Sequence, residues 1–132
     1  MHIDEHLKKA DAFEASLARL DPLRDGELYA VFLMRAGTNR INAALHVLGT
    51  TTDGPATEQK LGDLNHTYKP PMNSPAPESL KASFTALAFI ENLLPDIVRG
   101  PKRLDAPAAQ RALDAYTLIK RDTNSVLGRK SP

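Results

Sequence analysis

The segment Gly26–Gly49 constrains the fold more than any other part of this chain. It contains Leu28, Val31, Phe32, Leu33, Met34, Ile41, Leu45, Val47 and Leu48, with small residues Ala36, Gly37, Ala43 and Ala44 between them. A helix that is apolar almost all round must be covered by other structure. Arg35, Asn39, Asn42 and His46 interrupt it at spacings of 4, 3 and 4 residues. At about 100° per residue, all four fall within about 60° of one another on a helix. A polar stripe on a buried helix needs partners, because an unpaired buried polar group is costly.

Three further segments carry helical periodicity. Ile3, Leu7, Ala10, Phe13, Leu17 and Leu20 define an amphipathic helix over residues 3–20, and Asp21-Pro22 ends it. The second helix spans 26–49. Leu80, Phe84, Leu87, Ile90, Leu94 and Ile97 mark a third over 78–99, with Pro95 expected to kink or restart its last turn. Asp105 as N-cap and Pro107 just inside open a fourth over 105–127, which Gly128 closes. Residues 50–77 form a long connection punctuated by Gly and Pro, with room for a two-turn helix at Ala56–Leu64. No strand alternation is evident. The expectation is a single all-α domain over residues 1–132. Its architecture is a four-helix up-and-down bundle with a long loop between the second and third helices.

Composition narrows the function classes. The chain has 132 residues, no cysteine and a net charge of +1. Disulfides, thiolate metal sites and cysteine nucleophiles are therefore excluded. No apolar run reaches the length of a membrane span, and the N-terminal Met-His-Ile-Asp-Glu-His lacks the apolar core of a secretory signal. A cytoplasmic protein without membrane contact is the expectation. Residues from Arg99 onward carry a balance of +5 and the preceding ones −4. A solvated basic face accounts for this better than nucleic-acid binding, since Tyr116 is the only aromatic among those charges.

The candidate site residues are Arg35, Asn39, Asn42 and His46, read as a ligand pocket, an internal seam or a subunit interface. As a pocket, Arg35 would anchor a small anionic ligand, the two asparagines would orient it and His46 would act as acid or base. As an interface, Gly37 and the neighbouring alanines would let a second copy approach, giving a homodimer. His66 and Tyr68, in the long loop, are secondary candidates for a cover over the stripe. His2 and His6 are spaced i, i+4, a spacing able to chelate a metal, but no third ligand is evident. They read as solvated terminal histidines, and neither a metal nor another cofactor is expected.

Arg40 and His46 fit R-x5-H, which resembles the R-x(4–6)-H pattern of the HEPN helical-bundle family, a family that includes RNases. That resemblance implies metal-independent RNA cleavage with Arg40 and His46 acting at a dimer cleft. The two residues project about 120° apart around the helix. His46-Val47-Leu48-Gly49 is loosely similar to the motif of histidine phosphotransfer domains, but lacks the lysine those place between Leu and Gly. The leading expectation is a small helical interaction or binding module that self-associates. The alternatives are a small-molecule binder or enzyme with an anion-accepting pocket, and a HEPN-like RNase.

Overall fold

The structure, a computed structural model, describes residues 1–57, 60–64 and 76–128. Four helices form an up-and-down bundle: α1 (Ile3–Leu17), α2 (Gly26–Val47), α3 (Lys81–Val98) and α4 (Ala106–Leu127), with a 3-10 turn at Glu78–Leu80 leading into α3. No strand occurs among the described residues, and none of their helices is long and apolar enough to cross a membrane.

α2 is the hub. It packs against α1, α3 and α4, while α3 and α4 also pack against each other. This is why its sequence is apolar on nearly every side. Leu33, Ile41 and Leu45 of α2 are enclosed with Leu80, Phe84, Leu87 and Ile90, and with Ala112, Tyr116 and Ile119 of α4. Gly37 sits where the packing is closest. A Cβ there would lie 3.2 Å from Ile119 Cδ1 and 3.3 Å from Leu87 Cδ1. The small residues read as a possible subunit interface are therefore buried within the single chain, Ala36, Gly37, Ala43 and Ala44 included.

The helix ends differ from the sequence expectation by a few residues. α1 stops at Leu17 rather than residue 20, because Arg19 and Leu20 donate to the Ser16 and Leu17 carbonyls, tightening the chain into i→i+3 turns. Asp21 then caps the next turn, its Oδ1 accepting from the Leu23 and Arg24 N–H groups. α2 stops at Val47, and Gly49, at φ +74°, lies just past the end. The Gly49 N–H donates to His46 O and the Thr50 N–H to Leu45 O, the pairing of a Schellman motif. α3 continues through Pro95 to Val98. Asp105 accepts from the Ala108 N–H at 2.8 Å and Gly128 is left-handed, as the capping residues of α4 predict.

The expected short helix at Ala56–Leu64 does not form among the described residues of that stretch. The backbone instead folds back on itself, with Thr52 N–H donating to Leu61 O at 2.9 Å and Thr57 N–H to Lys60 O at 2.8 Å. The Thr57 hydroxyl accepts from the Lys60 N–H. Threonine side chains that bond locally in this way favour turns over helix.

Candidate functional site: two imidazoles on one carboxylate

Three of the four stripe residues point at α1 and at the chain following α2. Asn39 donates from Nδ2 to the Arg35 carbonyl at 2.9 Å, which turns its Oδ1 toward His6 Nδ1 at 2.8 Å. Asn42 clasps the Leu64 backbone from both sides, donating to its carbonyl at 2.8 Å and accepting from its N–H at 2.7 Å. His46 engages Thr51 Oγ1 through Nδ1 at 2.6 Å. Of the three roles open to the stripe, most of it is thus an internal seam between α1, α2 and the connection. Arg35 is exposed and contributes its backbone carbonyl to this network.

The seam has a centre. His6 from α1 and His46 from α2 both aim Nε2 at the same oxygen, Asp63 Oδ1, at 2.9 and 2.7 Å. The two rings lie 5.3 Å apart and are tilted by 45°. His6 is 2% exposed and His46 9%, whereas the Asp63 side chain is 34% exposed. The centre is therefore buried on its helical side and reachable from the loop side. The Met1 ammonium takes the other carboxylate oxygen at 2.9 Å. Burial alone would raise the Asp63 carboxyl. Its hydrogen bonds with the Met1 ammonium, His6 and His46 outweigh that and hold it at about 2.

Two of these three residues lie outside the sequence-derived candidates. His6, read as a solvated terminal residue, is buried. The signal was present, since His6 lies three residues after Ile3 and four before Ala10, within the inward stripe of α1. Asp63 carries no local signal; only the return of the connection brings it to α2. His2 stays on the outside, 73% exposed with Nδ1 3.7 Å from Asp53. His66 and Tyr68 lie outside the described residues.

Arg40 belongs to a second network. It is 1% exposed, and its guanidinium donates from Nε to the Tyr116 hydroxyl at 2.7 Å and from Nη2 to Asp11 Oδ1 at 2.8 Å and Glu14 Oε1 at 3.3 Å. The Tyr116 hydroxyl donates onward to Glu14 at 2.6 Å, and Lys120 closes the group on the other Glu14 oxygen at 3.0 Å. Arg40 and His46, which the R-x5-H spacing pairs, thus bond to different partners: Arg40 to α1 and α4, His46 to the connection.

Chemically, the first network offers two imidazole nitrogens and a carboxylate that bring one ligand atom each to within 4.8 Å of one another. The fold and this site define an all-α bundle with a half-buried His–His–Asp centre. Compared with known proteins, the chain matches no family model, no curated protein and no solved structure.

Proposed function

We propose that the protein is a small helical binding module whose binding centre, at the junction of α1, α2 and the connection, accepts cations. One observation carries this: Asp63 is the hub on which both buried imidazoles converge. A carboxylate held ionised among donors attracts positive charge and repels anions. The polarity is the reverse of an anion pocket built on Arg35, which is exposed and joins the network only through its backbone carbonyl. The bundle supplies a rigid frame and the connection supplies the accessible ligand, the usual division between scaffold and loop.

The test is a thermal-shift and calorimetric series with separate chloride salts of spermidine, cadaverine, magnesium, calcium and zinc. At least one cation should raise the unfolding midpoint of the wild-type protein and leave Asp63→Asn unmoved. If every cation affects the two proteins alike, the proposal is wrong.

Self-association is a second reading, supported by Val47 and Leu48, which are 45% and 44% exposed directly after the buried His46. Sedimentation equilibrium over micromolar to submillimolar concentrations should give a dimer that the double variant Val47→Asp, Leu48→Asp loses. A monomer across that range removes the reading.

A further inference from the structure

We propose that His6, His46 and Asp63 form a site for a divalent transition-metal ion, with zinc as the probe. The inference rests on the cation-accepting reading above and deepens it by naming the class of cation.

The second ring nitrogen of His6 fixes which of its atoms can coordinate. Asn39 Oδ1 can only accept, so His6 Nδ1 carries a hydrogen and donates it at 2.8 Å. Nε2 is then the atom available for coordination, and it points at Asp63 Oδ1. Nε2 and Oδ1 face each other 2.9 Å apart, and a positive charge shared between them, a proton or a metal ion, completes the contact. His46 also aims Nε2 at the same oxygen, while its Nδ1 meets Thr51 Oγ1, a hydroxyl that can accept from the ring when Nε2 binds a metal ion. Metal-binding histidines characteristically have the second nitrogen fixed by an outer hydrogen bond, which sets both tautomer and ring orientation. Here each imidazole has such a partner, from a different residue.

The spacing fits a small ion. Zinc sits about 2.0–2.1 Å from imidazole nitrogen and about 2.0–2.2 Å from a carboxylate oxygen, so neighbouring ligands of a tetrahedral site lie roughly 3.3 Å apart. The Nε2–Oδ1 distances of 2.9 and 2.7 Å are those of hydrogen bonds. The Asp63 carboxylate need only withdraw by about half an ångström to admit the ion. It is the most exposed of the three ligand side chains, 34% against 3% and 1% for the two imidazoles, and is carried on the connection rather than on a helix. The two imidazoles come from packed helices and stay in place.

The donor set selects the metal. Two imidazoles with one carboxylate suit zinc, nickel, cobalt or copper, whereas magnesium and calcium prefer all-oxygen shells. Three protein ligands leave at least one position for water on the exposed side of Asp63. The sequence alone shows no such triad, because its ligands are 40 and 17 residues apart along the chain.

Titration of the full chain with zinc chloride alone, followed by calorimetry, should give a saturable one-to-one isotherm. Magnesium, calcium and the two polyamines should bind at least about tenfold more weakly. His6→Gln and His46→Gln should each cost at least about tenfold in zinc affinity, and Asn39→Ala, which frees His6 without removing a ligand, about 10–100-fold. His2→Ala should change nothing, since that ring lies outside the triad. Circular dichroism establishes that each variant is folded. Zinc-edge X-ray absorption of the wild-type protein, which needs no variant, should show scattering from two imidazoles. Absence of that scattering, zinc affinity unchanged in both glutamine variants, or equal loss in His2→Ala would overturn the proposal. A polyamine or magnesium response abolished by Asp63→Asn, without zinc preference, would reject the transition metal yet keep the cation-accepting centre. No cation response at all would reject both.

Discussion

Arg40 Nε donates to the Tyr116 hydroxyl at 2.7 Å, joining the middle of α2 to the middle of α4 across 76 residues of sequence. The hydroxyl passes the bond on to Glu14 of α1, so one phenol ties three helices together. Arg40 is among the largest fully buried side chains of the protein. A buried guanidinium is costly unless every donor direction is answered. Replacing Arg40 with methionine removes that charge but leaves Glu14 and Tyr116 short of a partner. Urea denaturation should show a loss of about 3 kcal/mol for Arg40→Met and about 1–2 kcal/mol for Tyr116→Phe. Because the two residues share one network, the double variant should lose less than the two single losses combined. Strict additivity would mean that the bond couples nothing.

The same network sets an acid response. Burial by itself would raise the Glu14 carboxyl, but hydrogen bonds from Tyr116 and Lys120 and the charge of Arg40 hold it below the usual glutamate value. As pH falls, the unfolded chain therefore takes up this proton before the folded one does. The contribution of Glu14 to stability is complete above about pH 4.5 and fades as pH drops through its lower folded value. Urea midpoints at pH 6 and pH 3.5 should fall further for the wild-type protein than for Glu14→Gln. All other carboxylates are common to both chains, so equal falls would contradict the stated role of Glu14.

The architecture was legible in the sequence because it depends on local signals. Apolar periodicity placed all four helices, and Asp105, Pro107 and Gly128 marked the ends of α4 through side-chain and backbone chemistry confined to a few residues. The near-continuous apolar surface of α2 announced a helix covered by other structure, and its stripe announced partners. The partners themselves were not legible. Asp63 reaches His46 and His6 only because the connection turns back at Thr52–Leu61, and no local pattern encodes that return. Arg40 illustrates the same limit. Its direction around the helix was readable, but its answer lay in Asp11, Glu14 and Tyr116 on two other helices. His6 is the exception, since its position within the α1 stripe was visible and its proximity to the terminus concealed the significance.

Gly37 tests how tightly the hub is packed. Alanine in place of glycine inside a helix gains about 1 kcal/mol from backbone entropy. Against this, the added methyl meets the ends of Ile119 and Leu87 at 3.2 and 3.3 Å. Those are terminal methyl groups able to shift by a few tenths of an ångström, so the two effects should nearly cancel. Gly37→Ala is expected within about 1 kcal/mol of wild type. Gly37→Val adds two more carbons to a space already filled and should cost about 2 kcal/mol or more. A Val variant as stable as wild type would show that α2 stands further from α3 and α4 than these distances state.

Asn42 governs whether the connection stays on the bundle. Its amide makes both available backbone bonds to Leu64, one residue beyond Asp63, while being itself 1% exposed. Alanine at this position would strip the Leu64 N–H and C=O of their partners and leave a gap where the amide lay. Two lost bonds of this kind cost about 1–3 kcal/mol. The loss should be local rather than global, because Asn42 lies beside the core cluster of Leu33, Ile41 and Leu45 without belonging to it. Hydrogen exchange should therefore accelerate at the Leu64 amide in Asn42→Ala, while the core amides of α2 and α4 slow or quicken only with global stability. Asn42→Asp separates the two bonds. It keeps an acceptor for the Leu64 N–H and loses the donor to the Leu64 carbonyl, so its exchange at Leu64 should fall between wild type and alanine. Unchanged Leu64 exchange in the alanine variant would mean that the connection is held in place by contacts other than this clasp.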